Sequence, residues 1–124
     1  MAGRPLRRAR MNAGRISQYL VQDWNMRDVS WHKLVEAASV EEAKKKAHAP
    51  DPLAITKAPA GTRFFAVRAY GEGYGWFHAG YFAARDAEDA ERQGAASLAR
   101  DGIRSHSVEA TPLEPGFLRL DEED

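Results

Sequence analysis

The sequence predicts an α+β fold of the ferredoxin-like type, βαββαβ, in which two helices cover one face of a four-stranded antiparallel sheet. Three observations predict it. A strand, a small-residue turn, a capping residue and a helix occur twice: Leu34-Val35-Glu36-Ala37 leads to Ser39 and Glu41-Glu42-Ala43, and Tyr81-Phe82-Ala83-Ala84 leads to Asp86 and Glu88-Asp89-Ala90. Two more β-type runs, 63–70 and 103–111, complete the order, and right-handed crossovers would put the first and third strands in the centre. The length, 124 residues with 44% hydrophobic content, suits one core with tails.

Taken in order, Ile16, Tyr19, Leu20 and Trp24 recur at helical spacing, which predicts an amphipathic helix over 16–25. Residues 30–37, with Trp31, Leu34 and Val35, read as the first strand of the domain. Ser39 with Glu42 forms a capping box, so a helix follows over 40–48, with Val40, Ala43 and Ala47 inward, and Pro50 ends it. The stretch 50–61 holds Pro50, Pro52 and Pro59 and reads as a loop. Residues 63–70 and 76–84 form a hairpin across Gly71, Gly73 and Gly75. Asp86 and Asp89 cap a second helix over 87–100 that turns Ala87, Ala90, Gly94 and Leu98 inward, and Gly102 ends it. Residues 103–111 make the last strand before Pro112 and Pro115 open the tail. The expected organisation is therefore a basic arm (1–15), a helix and linker (16–29), a ferredoxin-like domain (30–112) and an acidic tail (113–124). An alternative topology makes the N-terminal helix a third layer or a swapped arm.

Net charge is zero, but unevenly placed. Arg4, Arg7, Arg8, Arg10 and Arg15 precede the first acid, whereas the chain closes on Asp121, Glu122, Glu123 and Asp124. Such an arm can neutralise phosphates, meet an acidic protein surface, or pair with the acidic tail of a neighbouring copy. The absence of Cys excludes disulfides, thiolate nucleophiles and Cys-based metal sites. With no apolar run of membrane-span length and no apolar block ahead of a small-residue cleavage site, the expectation is a cytoplasmic protein with no membrane partner.

Strand periodicity places Phe65, Val67 and Ala69 on one sheet face and Phe64, Arg68 and Tyr70 on the other. The next strand divides into Phe77, Ala79 and Tyr81 against Trp76, His78, Gly80 and Phe82. Assigning the second sets to the face away from the helices gives a platform of Phe64, Arg68, Tyr70, Trp76, His78 and Phe82, a patch that would need covering.

The run Gly73-Tyr74-Gly75-Trp76-Phe77 resembles the first part of the RNP1 signature of RNA recognition motifs. The resemblance implies the same twice-helical fold and strand aromatics that stack bases. Glu72 stands where that family has Arg or Lys, and Ala79 where it has the closing aromatic. Gly3-Arg4-Pro5 followed by Arg7-Arg8 is similar to an AT-hook core, with Ala2 in place of its first Arg, and to the start of some phage terminase small subunits. No function is carried over from those five residues.

Chemistry finds little purchase. His32, His48, His78 and His106 show no metal-ligand spacing, there is no nucleophile elbow, and the glycine run joins two strands and precedes no helix that could bind phosphate. No cofactor, metal or catalytic residue is expected. The leading expectation is a small non-enzymatic binding or assembly subunit, a homodimer or a partner of another protein. It would act through its uncovered sheet face (Phe64, Arg68, Tyr70, Trp76, His78) and its N-terminal arm and helix. The small basic-armed chain suggests a phage-type accessory protein by association. The alternative is a single-stranded RNA- or DNA-binding protein using Arg4, Arg7, Arg8 and Arg10 on phosphates; a small-molecule enzyme ranks third.

Overall fold

The computed structural model describes residues 15–24, 30–71, 73 and 75–118. Their order is β1 (Ser17–Trp24), β2 (Ser30–Ala37), α1 (Val40–Ala47), β3 (Ala54–Lys57), β4 (Arg63–Gly71), β5 (Gly75–Ala84), α2 (Ala87–Arg100), β6 (Ser107–Pro112) and β7 (Gly116–Leu118). The strands form two antiparallel sheets, one ordered β3-β1-β2-β7 and the other β5-β4-β6. The chain divides into two compact units. One takes the sequence up to Lys57 and the stretch from Pro115 that carries β7; the other is Ala58–Glu114.

This overturns the ferredoxin-like fold. The protein is α+β, but its strands belong to two sheets, and the order is ββαβ twice, followed by β7. The decisive element is β1, expected as a helix. Ser17–Trp24 pairs along its whole length with β2, from Ser17 opposite Ala37 to Trp24 opposite Ser30, and Tyr19 to Gln22 also pair with β3. Tyr19 and Val21, two apart, are both buried, which is the period of a strand. The ladder on either side satisfies backbone groups that a short isolated helix could satisfy only within itself. The expected loop 50–61 contains β3, and the expected tail contributes β7; residues 119–124 lie outside the described residues.

The two units repeat each other in strand pairing and in helix capping. In the first, Tyr19 faces Val35 and Ser17 faces Ala37; in the second, Phe65 faces Phe82 and Arg63 faces Ala84. Ala37 and Ala84 each stand two residues before a cap. Ser39 Oγ accepts from the Glu42 amide at 3.1 Å, and the Glu42 carboxylate returns the contact to the Ala38 amide at 2.6 Å. Asp86 and Asp89 do the same, at 2.8 Å to the Asp89 amide and 3.2 Å from the Arg85 amide. Each box satisfies one amide that the first helical turn leaves without a partner and the amide of the residue just before the cap.

Each helix packs on its own sheet. Ala43, Ala47 and Ala49 meet Tyr19, Val21, Val35 and Ala37, whereas Ala90 meets Phe65, Val67 and Ala84. Small residues on the helices let the backbones approach, so the large side chains come from the strands. Burying each of them contributes about 1.5–3 kcal/mol. Val40, expected inward, is 40% exposed. α1 ends on His48 in the left-handed region (φ 58°), its amide held by the Lys45 carbonyl at 3.1 Å and that of Ala49 by Lys44 at 3.0 Å.

Candidate functional site

The face of the second unit's sheet that points away from α2 gathers the exposed aromatic and charged side chains. Its frame is the β4–β5 hairpin, reversed through Gly73 (φ 88°) and Gly75 (φ 73°). From Phe65 opposite Phe82 to Val67 opposite Gly80 the register is regular. It then shifts, and Arg68 lies opposite His78 and Tyr70 opposite Trp76. Ala79 is the extra residue of a β-bulge.

The bulge redistributes the expected platform. Strict alternation would carry Trp76, His78 and Phe82 to one face. With one extra residue, Trp76 and His78 share a face with Arg68 and Tyr70, whereas Phe82 turns to the helix side and packs on the core of Phe65 and Val67. Tyr81, assigned by alternation to the helix side, takes its place, its ring 4.6 Å from that of His78. The sequence carried a signal for this in Gly80: an isolated glycine inside a strand marks a bulge. Gly80 sits at φ 144°, and a Cβ there would come within 3.1 Å of the Phe82 ring. Phe64 keeps its expected face but is only 3% exposed, so it is no part of an exposed platform.

What remains is a compact cluster at the hairpin end. The Arg68 guanidinium lies 4.5 Å from the centre of the Trp76 ring, a cation–π arrangement. Tyr70 meets Trp76 edge-on at 5.5 Å. Trp76 and Tyr70 stay 39% and 41% exposed. Across the other strand, Arg68 lies opposite Glu109, whose Oε1 accepts from Nε at 3.0 Å and from Nη2 at 2.9 Å. Glu109 was not foreseen, because the register of β6 is a long-range property. Opposite charges directly across two strands are the favourable arrangement. Arg68 is thus held flat between an indole and a carboxylate, its charge balanced locally.

Arg4, Arg7, Arg8 and Arg10 lie outside the described residues. The fold implied by the RNP1-like run is not the fold observed, and the run itself falls at the hairpin turn and the first residues of β5.

The first unit carries a second aromatic group. Phe117 of β7 meets Trp31 edge-on at 5.4 Å, with Lys33 Nζ 4.7 Å from its ring centre. A shallow depression of about 390 Å³ is lined by Lys33, Glu36, Lys46, Pro115 and Gly116. Its lysines are committed to backbone carbonyls, Lys46 to Glu36 at 2.6 Å and Lys33 to Lys46 at 3.4 Å.

Among the described residues, no group of three or more His, Asp or Glu side chains is placed to hold a metal ion. No helix there is long and apolar enough to cross a membrane. No family model matches the chain, and no curated protein or solved structure matches it either.

Proposed function

We propose that this chain is a non-enzymatic assembly subunit whose copies meet at the Arg68–Tyr70–Trp76 cluster. The observation that carries the reading is the state of Arg68. Its guanidinium is laid on Trp76 and balanced by Glu109, so the cluster offers exposed aromatic area without net charge. Trp, Tyr and Arg are the residues that most often anchor protein contacts, and their burial against a partner carries most of the energy of such contacts. A second copy is the occupant that the charge pattern favours. Five arginines precede the first acid, four acids close the chain and the total is zero, a self-complementary distribution. The Cys-free composition is in keeping with a cytoplasmic setting.

Sedimentation velocity over a concentration series tests this. The full chain is expected to dimerise, and Trp76→Ala to weaken the dimer at least about fivefold, the effect of losing an anchor worth more than about 1 kcal/mol. A monomer at every concentration would sink the reading.

A second reading, single-stranded nucleic-acid binding, is favoured by the exposed rings of Tyr70 and Trp76, since a stacked base contributes roughly 1–3 kcal/mol. The Glu109 carboxylate beside Arg68 counts against it, because it competes with phosphate. Anisotropy with labelled RNA and DNA across a salt series, with and without residues 1–15, separates the two. Steeply salt-dependent binding that falls with Trp76→Ala belongs to the nucleic-acid reading.

A further inference from the structure

The two edges of the second unit's sheet are built differently. β6 carries Glu109, ends on Pro112, and has its Ala110 amide taken up by the Glu91 carboxylate of α2 at 3.3 Å. Charge, proline and a covering group are the devices by which an edge resists another strand. β5, the opposite edge, runs ten residues without one charged side chain or proline. The Gln93 amide covers the Ala83 carbonyl near its end, at 2.9 Å, and the bulge at Ala79 interrupts its middle. The stretch from Trp76 to His78, beside the exposed cluster, carries neither charge nor proline.

The first unit shows how this fold closes the corresponding edge. β2 is the counterpart of β5: His32 faces Gln22 as His78 faces Arg68, and Val35 faces Tyr19 as Phe82 faces Phe65. The outer edge of β2 is taken by β7, antiparallel, with His32 opposite Leu118 and Leu34 opposite Gly116. In the second unit, among the described residues, the sheet ends at β5.

We propose that a second copy of the chain supplies this strand, β5 of each copy pairing antiparallel with β5 of the other about a two-fold axis. The inference rests on the assembly reading above and adds its geometry. Such a contact is isologous, so one edge serves both partners and the assembly closes at two. With no Asp, Glu, Lys or Arg in either β5, two such strands meet without repulsion between those charges, and Trp76 and Tyr70 of each copy flank the seam on one face, where cross-strand aromatic pairs stabilise a ladder.

Because the chain has no cysteine, introduced ones report on the seam alone. Trp76→Cys, Phe77→Cys, His78→Cys and Ala79→Cys are oxidised one at a time, with Thr111→Cys in β6 as the control. A disulfide needs Cα atoms about 4.4–6.8 Å apart, which two copies of one residue reach only near the axis. One or two neighbouring β5 variants are expected to become mostly covalent dimers while the control forms no disulfide-linked dimer. On the unaltered chain, hydrogen exchange should slow in β5, and not in β6, as protein concentration rises. A dimer that crosslinks equally through both strands, or forms with β5 exchange unchanged, overturns the strand pairing and leaves the assembly reading standing. A chain monomeric throughout overturns both.

Discussion

A methyl group placed on Gly94 would stand 2.7 Å from Val67 Cγ1, so α2 and β4 touch where the helix has no side chain. The corresponding place in the first unit, equally far beyond the cap, is Ala47, packed in the cluster that holds Val21. The second helix therefore lies closer to its sheet than one methyl allows. Gly94→Ala sets two effects against each other. Helix propensity favours Ala by about 1 kcal/mol. Overpacking against a fully buried Val67 costs about 1–3 kcal/mol. Net destabilisation is expected in chemical denaturation, and Val67→Ala in the same chain should relieve much of it, giving a non-additive double-mutant cycle.

This contact was partly legible in the sequence, and the reason is local chemistry. The inward set Ala90, Gly94 and Leu98 follows from the period of a helix whose start Asp86 and Asp89 announce, and the second helix occupies the expected 87–100. The capping boxes could be read because both partners lie within four residues of each other. β1 could not be assigned in this way. Ile16, Tyr19, Leu20 and Trp24 fit a helix, whereas Tyr19 and Val21 fit a strand. The choice fell to pairing with β2 and β3, which no local window contains. With β1 a strand, the repeat became ββαβ and one sheet became two. The candidate site divides in the same manner: alternation places Arg68, Tyr70, Trp76 and His78 on one sheet face, while the positions of Glu109 and Tyr81 depend on a register and a bulge.

Acid should loosen the start of α2 through Asp89. Its carboxyl lies below its ordinary value of 3.8, chiefly because the Arg85 amide donates to it; partial burial opposes this, and the charges of Arg92 and Arg85 and the Gln93 amide reinforce it. A carboxylate with a lowered folded value adds stability that is complete above its unfolded value and is lost as pH falls through the folded one. The expected outcome is a decline below about pH 4 that Asp89→Asn makes shallower, followed by circular dichroism at fixed temperature.

His32 should act in a higher window. Burial holds its imidazole below the ordinary 6.5, because the charged form loses water on folding. The folded protein therefore binds this proton less readily than the unfolded chain. Its contribution is complete above about pH 6.5 and falls as pH drops through the lowered folded value. The melting temperature is expected to fall over that interval, and His32→Gln to flatten the profile while leaving the Asp89 window unchanged.

The bulge yields a prediction about the repeat itself. From His32 to Val35 in β2 is one residue less than from His78 to Phe82 in β5, although both ends occupy equivalent positions. The surplus residue is Ala79. Deleting it leaves His78 next to Gly80, which already lie on opposite faces, so ordinary alternation would restore an unbroken ladder without turning any side chain over. The deletion is therefore expected to fold with Phe82 still opposite Phe65 and Trp76 still opposite Tyr70. The loss should be about 1 kcal/mol for the Ala79 methyl that packs on the core. Cross-strand nuclear Overhauser effects between Phe65 and Phe82 check this. If Phe82 moved away from Phe65, β5 would have slipped, and the bulge would be a feature that sets the register and not a tolerated insertion. Straightening the strand also removes the one irregularity in the middle of the β5 edge, so the variant should self-associate more tightly than the native chain, measured by sedimentation at matched concentrations.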